Sequence, residues 1–340
     1  MMKKVNVDFY ADKTIIVTGA TGLIGSHLVE RLMEAENTHV IAISRNEEKL
    51  KTVFEKYLLN SKFSIIAQDA SLPFPVLDKD VDMIFHAASP ISGQIIADSP
   101  VDVIEPNIFG IKNCLDFLKE QEDKKRIRGR LIVFSSATVY GNLSQEDLCV
   151  AEDDTSTAIS LDSLNAPYSE SKRMVEVLVK AYYRQYKVDS VIARCSYVYG
   201  YSYYQPNTAF YEFINRACKQ ENITINNGGL ARRDNIYVED VVSGLLCLGE
   251  HGKSAESYNL SSGAEMGNFV AADEMAEIIA EVSREKYGID INVDYVTEKN
   301  LPRRPGIILD NSKIRELGWR LETSIKQGIE KTVSAYKEAR

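Results

Sequence analysis

The sequence lacks the features that mark secreted, membrane-spanning and nucleic-acid-binding proteins. Its five cysteines are odd in number and scattered, without a CxxC or Cys/His cluster, so we expect no disulfide framework and no bound metal. No stretch approaches the roughly 18 continuous apolar residues of a membrane span, and the N-terminus has no signal-peptide core. The net charge of −9 argues against nucleic-acid binding. We therefore expect a cytoplasmic protein that binds neither membranes nor nucleic acids.

A glycine-rich turn near the N-terminus is the most informative local pattern. Residues 14–25 combine an apolar run with three glycines spaced by three, Gly19, Gly22 and Gly25, and the amphipathic stretch 23–35 follows at once. This order predicts a strand, a tight turn and a helix. Glycines let the backbone approach a pyrophosphate and let the helix pack closely, and the helix N-terminus favours negative charge. The segment therefore predicts a dinucleotide site.

A second pattern joins a phenol, an ammonium and hydroxyl groups. Tyr168 and Lys172 lie four residues apart in a predicted helix, which places them on one face. The predicted strand 131–135 leads into the hydroxyls of Ser136 and Thr138, at the sheet edge where ligands bind. Lys172 would lower the pKa of the phenol through its charge. Tyr168 would then exchange a proton with a substrate hydroxyl that Ser136 or Thr138 holds.

The order of the predicted elements indicates the fold class. Strand-like and helix-like segments alternate from residue 14 to about 194, which predicts an α/β fold with a Rossmann-type doubly wound parallel sheet. Pro106 lies inside the predicted helix 100–121 and predicts a kink or a late start there. We expect a dinucleotide-binding domain over 1–195 and a smaller mixed α/β substrate lobe over 196–340, with about 231–260 returning to the main sheet.

Taken together, these motifs resemble the extended short-chain dehydrogenase/reductases, specifically their NAD(P)-dependent nucleotide-sugar epimerase/dehydratase group. The resemblance runs from Thr14 to about Trp319. The matching segments are the cofactor turn at 18–25, the fourth-strand segment 86–89, the catalytic strand at 135–141, the YxxxK of Tyr168 and Lys172, the RDxIxVxD-like segment 233–240 and the late arginine segment 302–306.

The resemblance implies roles for individual residues. Asp69 would bind the adenine amino group, unless it only caps its loop, and Asn107 would support the cofactor cavity. Arg233 and Arg304 would bind a diphosphate, which suits planar bidentate donors. The implied catalytic residues are Ser136, Thr138, Tyr168 and Lys172. The implied cofactor-binding residues are Gly19, Thr21, Gly22, Leu23, Ile24, Gly25, Ser44, Arg45, Asp69, Ala70, Ala87, Ala88, Ser89, Asn107, Tyr168 and Lys172. The implied substrate contacts are Ser89, Ser136, Tyr197, Arg233 and Arg304.

The chain departs from the family pattern at several positions. Ser44 and Arg45 end the second strand where NAD-preferring members place an acid, which favours NADP and leaves tightly bound NAD open. No acid follows Ser136, so the stretch lacks the group that dehydratases and one type of decarboxylase carry there. Tyr197 replaces the usual asparagine, and Ile307 replaces the usual acid after Pro-Gly. The tyrosine-rich run 197–211 lines a substrate pocket or packs on the lobe surface.

We therefore predict an NAD(P)-dependent epimerase of a nucleotide-diphosphate sugar that transiently oxidises C4. The alternative is an NADPH-dependent reductase of a nucleotide 4-keto-sugar, which Ser44 and Arg45 favour. The missing acid argues against a dehydratase or decarboxylase, and the presence of both Tyr168 and Lys172 argues against a catalytically retired cofactor-binding protein. The resemblance also implies a homodimer, formed through helices at about 100–121 and 167–187, and a role in polysaccharide precursor synthesis.

Overall fold

The computed structural model of the protein describes residues 7–89, 93–141, 148–154, 159–226, 230–296 and 304–338. The strands of these residues form four sheets. In chain order they are β1 (Thr14–Thr18), β2 (His39–Ser44), β3 (Phe63–Ala67), β4 (Met83–His86), β5 (Arg130–Ser136), β6 (Leu148–Val150), β7 (Asp189–Cys195), β8 (Tyr197–Tyr199), β9 (Ile223–Ile225), β10 (Arg233–Tyr237), β11 (Ser257–Leu260), β12 (Phe269–Val270), β13 (Val293–Tyr295) and β14 (Ile307–Leu309).

The helices of the described residues flank these sheets. They are α1 (Leu23–Leu32), α2 (Glu47–Val53), α3 (Gly93–Asp98), α4 (Val101–Lys125), α5 (Ala166–Tyr186), α6 (Ala209–Cys218), α7 (Val238–His251), α8 (Ala272–Tyr287), α9 (Ser312–Glu316) and α10 (Ile325–Glu338). Short 3₁₀ turns occur at Asp8–Tyr10, Glu55–Tyr57, Ala137–Tyr140 and Glu265–Gly267. None of the described helices is both long and apolar enough to cross a bilayer.

The main sheet has seven parallel strands in the order β11-β7-β5-β4-β1-β2-β3. The chain adds strands outward in one direction from β1 through β2, and in the other direction from β4 through β5. A crevice therefore opens above the carboxyl ends of β1 and β4, where ligands bind in folds of this type. Within the segment expected to return to this sheet, Ser257–Leu260 joins it, whereas Arg233–Tyr237 belongs to a three-stranded sheet with β8 and β12.

Both faces of the main sheet are buried, and each builds its own core. Along β1, Ile15 and Val17 pack in one apolar cluster while Ile16 packs in another on the opposite face. A third cluster joins α6, α8 and α10 of the smaller C-terminal lobe through residues such as Ile214 and Ile279. The predicted Rossmann-type sheet with a smaller C-terminal lobe is thus confirmed.

Helix α4 corrects one prediction, since it begins at Val101 and continues through Pro106 to Lys125 without a late start. A proline inside a helix costs roughly 3 kcal/mol because a backbone hydrogen bond is lost. The helix buries an apolar face that includes Val103, Ile111 and Leu115, each contributing about 1.5–3 kcal/mol. Burial along the whole helix therefore outweighs the local loss. Helices α4 and α5 pack side by side, and the homodimer expected through them stays a prediction.

Candidate active site

The glycine turn between β1 and α1 is held by close backbone packing. Gly19 has a left-handed φ of +64°, and a Cβ there would lie 2.6 Å from the backbone nitrogen of Ala88. A Cβ on Gly25 would overlap the carbonyl oxygen of Gly19. Gly22 is the N-cap of α1, and no side chain caps the helix, so its first N–H groups stay available for a phosphate. The turn therefore fits the pyrophosphate of a dinucleotide.

A cavity of about 210 Å³ lies beside this turn, at the carboxyl ends of β1, β2 and β4. Leu23, Ile24 and Gly25 form the first turn of α1. Most of the predicted cofactor residues line the cavity, and Ile43, Gln68 and Pro106, which were not predicted, line it too. The lining residues are Gly19, Thr21, Gly22, Ile43, Ser44, Arg45, Gln68, Asp69, Ala70, Ala87, Ala88, Ser89 and Pro106.

The polar rim of this cavity bears on the choice of cofactor. Thr21 Oγ1 and Ser44 Oγ lie 2.9 Å apart, and the side chain of Arg45 is exposed. Asp69 Oδ1 accepts hydrogen bonds from the backbone nitrogen and hydroxyl of Ser71, at 2.8 and 2.7 Å. Partial burial raises the pKa of Asp69, but these hydrogen bonds and the charge of Arg45 outweigh it and hold the pKa below its usual value. Asp69 thus caps its loop, and its contact with adenine stays a prediction.

Asn107 links the cofactor cavity to helix α5. Its side chain is 1% exposed, and its Oδ1 accepts a hydrogen bond of 2.7 Å from Ser89 Oγ. Its Nδ2 donates to Ser171 Oγ at 2.9 Å, and Ser171 Oγ donates in turn to the carbonyl oxygen of Tyr168 at 2.9 Å. This relay fixes the first turns of α5 relative to the end of β4. Ser171 was missed because serine at a helical position has no distinctive sequence signal.

The structure brings Ser136, Tyr168 and Lys172 together at the carboxyl end of β5. The phenol of Tyr168 is hydrogen-bonded to Ser136. Lys172 Nζ donates to the carbonyl oxygen of Phe134 at 2.7 Å and lies 5.8 Å from the centre of the Tyr168 ring. Thr138 Oγ1 is buried and has no hydrogen-bond partner among the described residues. A hydroxyl, a phenol and an ammonium can therefore act on one ligand.

The electrostatics of this cluster differ from the expectation. Burial raises the pKa of Tyr168 to about 12, although the hydrogen bond to Ser136 opposes the rise. Burial lowers the pKa of Lys172 to about 8, although Cys195 and Glu176 oppose that change. The prediction of a lowered phenol pKa is wrong for this structure because the desolvation of the buried phenol outweighs the effects that would lower its pKa. Tyr168 therefore holds its proton at neutral pH here.

A buried ion pair holds α5 against the sheet behind this cluster. Glu176, one helical turn after Lys172, faces Arg194 of β7 with Nε–Oε1 and Nη2–Oε2 distances of 3.0 and 2.8 Å. Ser135 Oγ of β5 donates to Glu176 Oε1 at 2.6 Å, and Ser257 Oγ of β11 donates to Oε2 at 3.3 Å. One carboxylate thus joins the helix to three strands.

A second cavity, of about 200 Å³, continues from Ser136 toward the smaller lobe. It brings the predicted residues Thr138, Tyr197 and Arg233 together, with Cys195, Ser196 and Arg232 as unpredicted neighbours. The position of Cys195 at the carboxyl end of β7 could have indicated that it lies at the site, because parallel pairing places it opposite Ser136 at the end of β5. The lining residues are Ser136, Ala137, Thr138, Cys195, Ser196, Tyr197, Arg232, Arg233, Asp234, Ile307 and Leu309.

All three of Pro302, Arg303 and Arg304 in the late arginine segment fall outside the second cavity or outside the described residues. Arg304 is exposed, pairs through its backbone with Ala231, and is not among the lining residues. Pro302 and Arg303 lie outside the described residues. A role of Arg304 in substrate binding therefore stays a prediction.

Asp234 is the acidic residue that lines this cavity. Both of its carboxylate oxygens already accept hydrogen bonds from other parts of the chain. Burial raises its pKa to about 6, opposed by the hydrogen bonds it accepts. Oδ1 accepts from the backbone nitrogen and hydroxyl of Ser262, and Oδ2 accepts from the nitrogen of Leu309 at 3.1 Å. Within the described part of the chain, no group of three His, Cys, Asp or Glu side chains could hold a metal ion.

The tyrosine-rich run 197–211 both lines cavities and packs against neighbouring elements, so its role in a substrate pocket stays a prediction. Tyr197 lines the second cavity, whereas Tyr199 and Tyr211 are buried in the core of the smaller lobe. The remaining tyrosines contact helices α1, α2 and α10 on the outer side. Their recorded contacts are Tyr201 with the ring of Tyr336 at 4.7 Å, Tyr203 with Glu30 and Tyr204 with Lys49.

Comparisons with known proteins agree with this architecture. The family model described as "NAD dependent epimerase/dehydratase family" matches residues 15–261. The chain is 30% identical over 323 residues to UDP-glucuronic acid decarboxylase 6 of Arabidopsis thaliana, covering 94% of this chain and 88% of the relative. It is 28% identical over 336 residues to the dTDP-D-glucose 4,6-dehydratase of Homo sapiens, covering 96% of this chain and 90% of the relative.

A solved structure shares the fold. The UDP-N-acetylglucosamine 4-epimerase from Methanobrevibacter ruminantium M1 superposes with a TM-score of 0.77 at 22% identity, covering 97% of this chain and all of that one. These three similar proteins carry three different reaction names, so the comparisons agree on family and fold while they differ in activity.

Proposed function

The chain belongs to the NAD dependent epimerase/dehydratase family, and we propose that within it the protein is a 4-epimerase of a nucleotide-diphosphate sugar. One observation carries the proposal. The Ser136–Tyr168–Lys172 cluster adjoins a cavity whose acid, Asp234, already accepts hydrogen bonds on both oxygens. Proton transfer to and from a hydroxyl is therefore supported, whereas an uncommitted carboxylic acid for elimination is not present among the described lining residues.

Each side chain of the cluster would have its own role in the reaction. Ser136 Oγ and the unpartnered Thr138 Oγ1 would hold the C4 hydroxyl of the sugar, and Tyr168 would remove its proton. Because burial raises the pKa of Tyr168 to about 12, positive charge must assist phenolate formation, and Lys172 supplies such a charge. The glycine turn and the lining of the first cavity would hold a nicotinamide nucleotide, which would supply reversible hydride transfer at C4 of the sugar. Tyr168 would then give the proton back.

The cofactor site supports an enzyme that keeps its nucleotide. The glycine turn would hold the pyrophosphate, and the relay from Ser89 through Asn107 would fix the cavity wall. Because substrate and product of an epimerisation are isomers at the same oxidation level, the proposed reaction would consume no external reductant. The proposal thus predicts net conversion between two isomers of equal mass.

The test is a product analysis with purified protein and a panel of sugar nucleotides. UDP-glucose, UDP-galactose, UDP-N-acetylglucosamine, dTDP-glucose and UDP-glucuronic acid are incubated separately, and products are identified by NMR and mass spectrometry. An isomer differing at C4, without loss of mass, supports the proposal. Loss of water or of carbon dioxide would overturn it in favour of a dehydratase or a decarboxylase.

Two tyrosine variants assign the chemistry to the site. Tyr168→Phe should fold normally and lose activity by roughly 10²–10⁴-fold, the usual contribution of a general acid–base group. Tyr183→Phe removes an exposed phenol from the same helix and is the matched control. Turnover of Tyr168→Phe close to that of the control would contradict the assignment.

A second function is favoured by the rim of the cofactor cavity. The exposed guanidinium of Arg45 beside Ser44 suits a 2′-phosphate, which supports an NADPH-dependent reductase of a nucleotide 4-keto-sugar. Denaturing the purified protein and identifying the released nucleotide by mass spectrometry separates the two. Near-stoichiometric NAD supports the epimerase, while empty protein or freely exchanging NADP supports the reductase.

A further inference from the structure

We propose that Tyr197 is a positioning residue whose ring orients the guanidinium of Arg233 to receive the diphosphate of the substrate. This inference rests on the proposed function, since it takes a nucleoside diphosphate as the ligand of the second cavity. It adds that the ring of Tyr197, rather than its hydroxyl, sets the affinity for that ligand by acting through Arg233.

The strand register brings the two side chains together. Tyr197 of β8 lies opposite Asn235 of β10, and Arg233 stands two residues before Asn235 on the same face of β10. The Cζ atom of Arg233 is 4.6 Å from the centre of the Tyr197 ring, within the roughly 6 Å range of a cation–π contact. The contact is thus built from the backbone pairing of two adjacent strands.

Charge and exposure show that Arg233 is placed to meet a ligand. Its side chain is exposed and lines the cavity of about 200 Å³ that Ser136 and Thr138 also line. The neighbouring Arg232 is partly buried and lies over a different ring, that of Phe269, at 5.7 Å. The two adjacent arginines are therefore distinguishable by their aromatic partners.

The chemistry of a diphosphate explains why orientation matters. A guanidinium binds phosphate oxygens through two parallel N–H donors in a fixed plane. An exposed arginine samples many rotamers and loses that freedom when it binds. A ring that already stacks on the guanidinium removes part of this cost before the ligand arrives. A cation–π contact of the usual strength corresponds to roughly a 2- to 30-fold effect on affinity.

The experiment is a double-mutant cycle on nucleotide affinity, measured without any turnover. Wild-type protein is titrated calorimetrically with UDP, dTDP, CDP and GDP, and the tightest ligand is used throughout. The variants are Tyr197→Leu, Arg233→Met and the double variant, with Tyr197→Phe as the conservative rescue. All four are compared with wild type by thermal unfolding, so that a folding defect is seen directly.

The expected pattern is specific to a positioning role. Tyr197→Leu should weaken binding roughly 2- to 30-fold in the wild-type background and have no effect in the Arg233→Met background. Tyr197→Phe should restore affinity to within about twofold, because the ring remains. In turnover assays, Tyr197→Leu should raise KM for the sugar nucleotide more than it lowers kcat, as expected for lost ground-state binding.

Other outcomes would contradict the inference. One of them, the absence of nucleotide binding by wild type, would show that the proposed function fails as well. Equal weakening by Tyr197→Leu in both backgrounds would mean that the ring acts independently of Arg233. A loss in Tyr197→Phe as large as in Tyr197→Leu would assign the effect to the hydroxyl. If wild type binds none of the four nucleotides, the proposed function itself fails. If Tyr197→Leu unfolds, the cycle is replaced by a direct comparison of Arg233→Lys with wild type, and unchanged nucleotide affinity in Arg233→Lys would refute the need for an oriented guanidinium.

Discussion

Replacing Lys172 by methionine should make the stability of the protein less dependent on pH while it removes the activity. Lys172 is 4% exposed, and burial lowers its pKa from 10.5 to about 8, although Cys195 and Glu176 oppose the change. The folded protein therefore binds this proton less tightly than the unfolded chain does. A cation placed for function thus costs stability, as strained functional sites commonly do.

The sign and size follow from the two pKa values. Below pH 8, Lys172 is protonated in both states, and the full cost of about 3 kcal/mol applies. Between pH 8 and 10.5 the folded lysine is already neutral while the unfolded one still holds its proton, so the cost falls as pH rises. From pH 7 to 10, wild type should gain about 2–3 kcal/mol of stability relative to Lys172→Met. The hydrogen bond lost to Phe134 adds an offset that does not depend on pH.

The assay is urea unfolding of both proteins at several pH values from 7 to 10, after bound nucleotide has been removed. Lys180→Met makes the same substitution at an exposed position two turns further along α5 and controls for the loss of an exposed charge. A free-energy difference between wild type and Lys172→Met that stays constant from pH 7 to 10 would refute the reasoning. It would mean that water or a nearby anion solvates the ammonium in the folded state.

Three further perturbations test the scaffold around the site. Gly25→Ala should destabilise the protein by about 1–3 kcal/mol and weaken nucleotide binding, because its methyl group meets backbone atoms; this is measured by urea unfolding and nucleotide titration. Asn107→Ala should cost about 1–3 kcal/mol and lower kcat, because its two serine partners lose their bonds; unfolding and turnover measure it. Glu176→Ala should cost about 3–5 kcal/mol, and adding Arg194→Met should recover part of that in a stability cycle.

Each of these predictions has its own control. Gly93→Ala adds a methyl group where nothing lies within 4 Å, so it should not destabilise, and equal losses at Gly25 and Gly93 would contradict the packing argument. Unchanged kcat in Asn107→Ala would show that the relay to α5 is not needed for catalysis. Additive effects of the Glu176 and Arg194 changes would show that the pair is not coupled.

The sequence alone was sufficient for the features that depend on local patterns. Three glycines at fixed spacing after an apolar run predict a strand, a turn and a helix, because few residues tolerate that backbone path. The spacing of Tyr168 and Lys172 places both on one face of a helix by geometry alone. These local rules, repeated along the chain, were enough to predict the Rossmann-type sheet and the family. The late helix start that they allowed at Pro106 was wrong, because burial along the whole of α4 outweighed the local preference, whereas a kink there stays a prediction.

The tertiary structure decided the properties that depend on which distant segments cover a side chain. The pKa of Tyr168 is raised because the surroundings of the phenol exclude water, and no spacing between two residues reports that. Both carboxylate oxygens of Asp234 accept hydrogen bonds because two distant parts of the chain, at Ser262 and Leu309, pack beside it and donate their backbone N–H groups. Tyr197 meets Arg233 only through the pairing of two strands. Desolvation and long-range contacts are set by the whole packed chain, and a local pattern does not contain them.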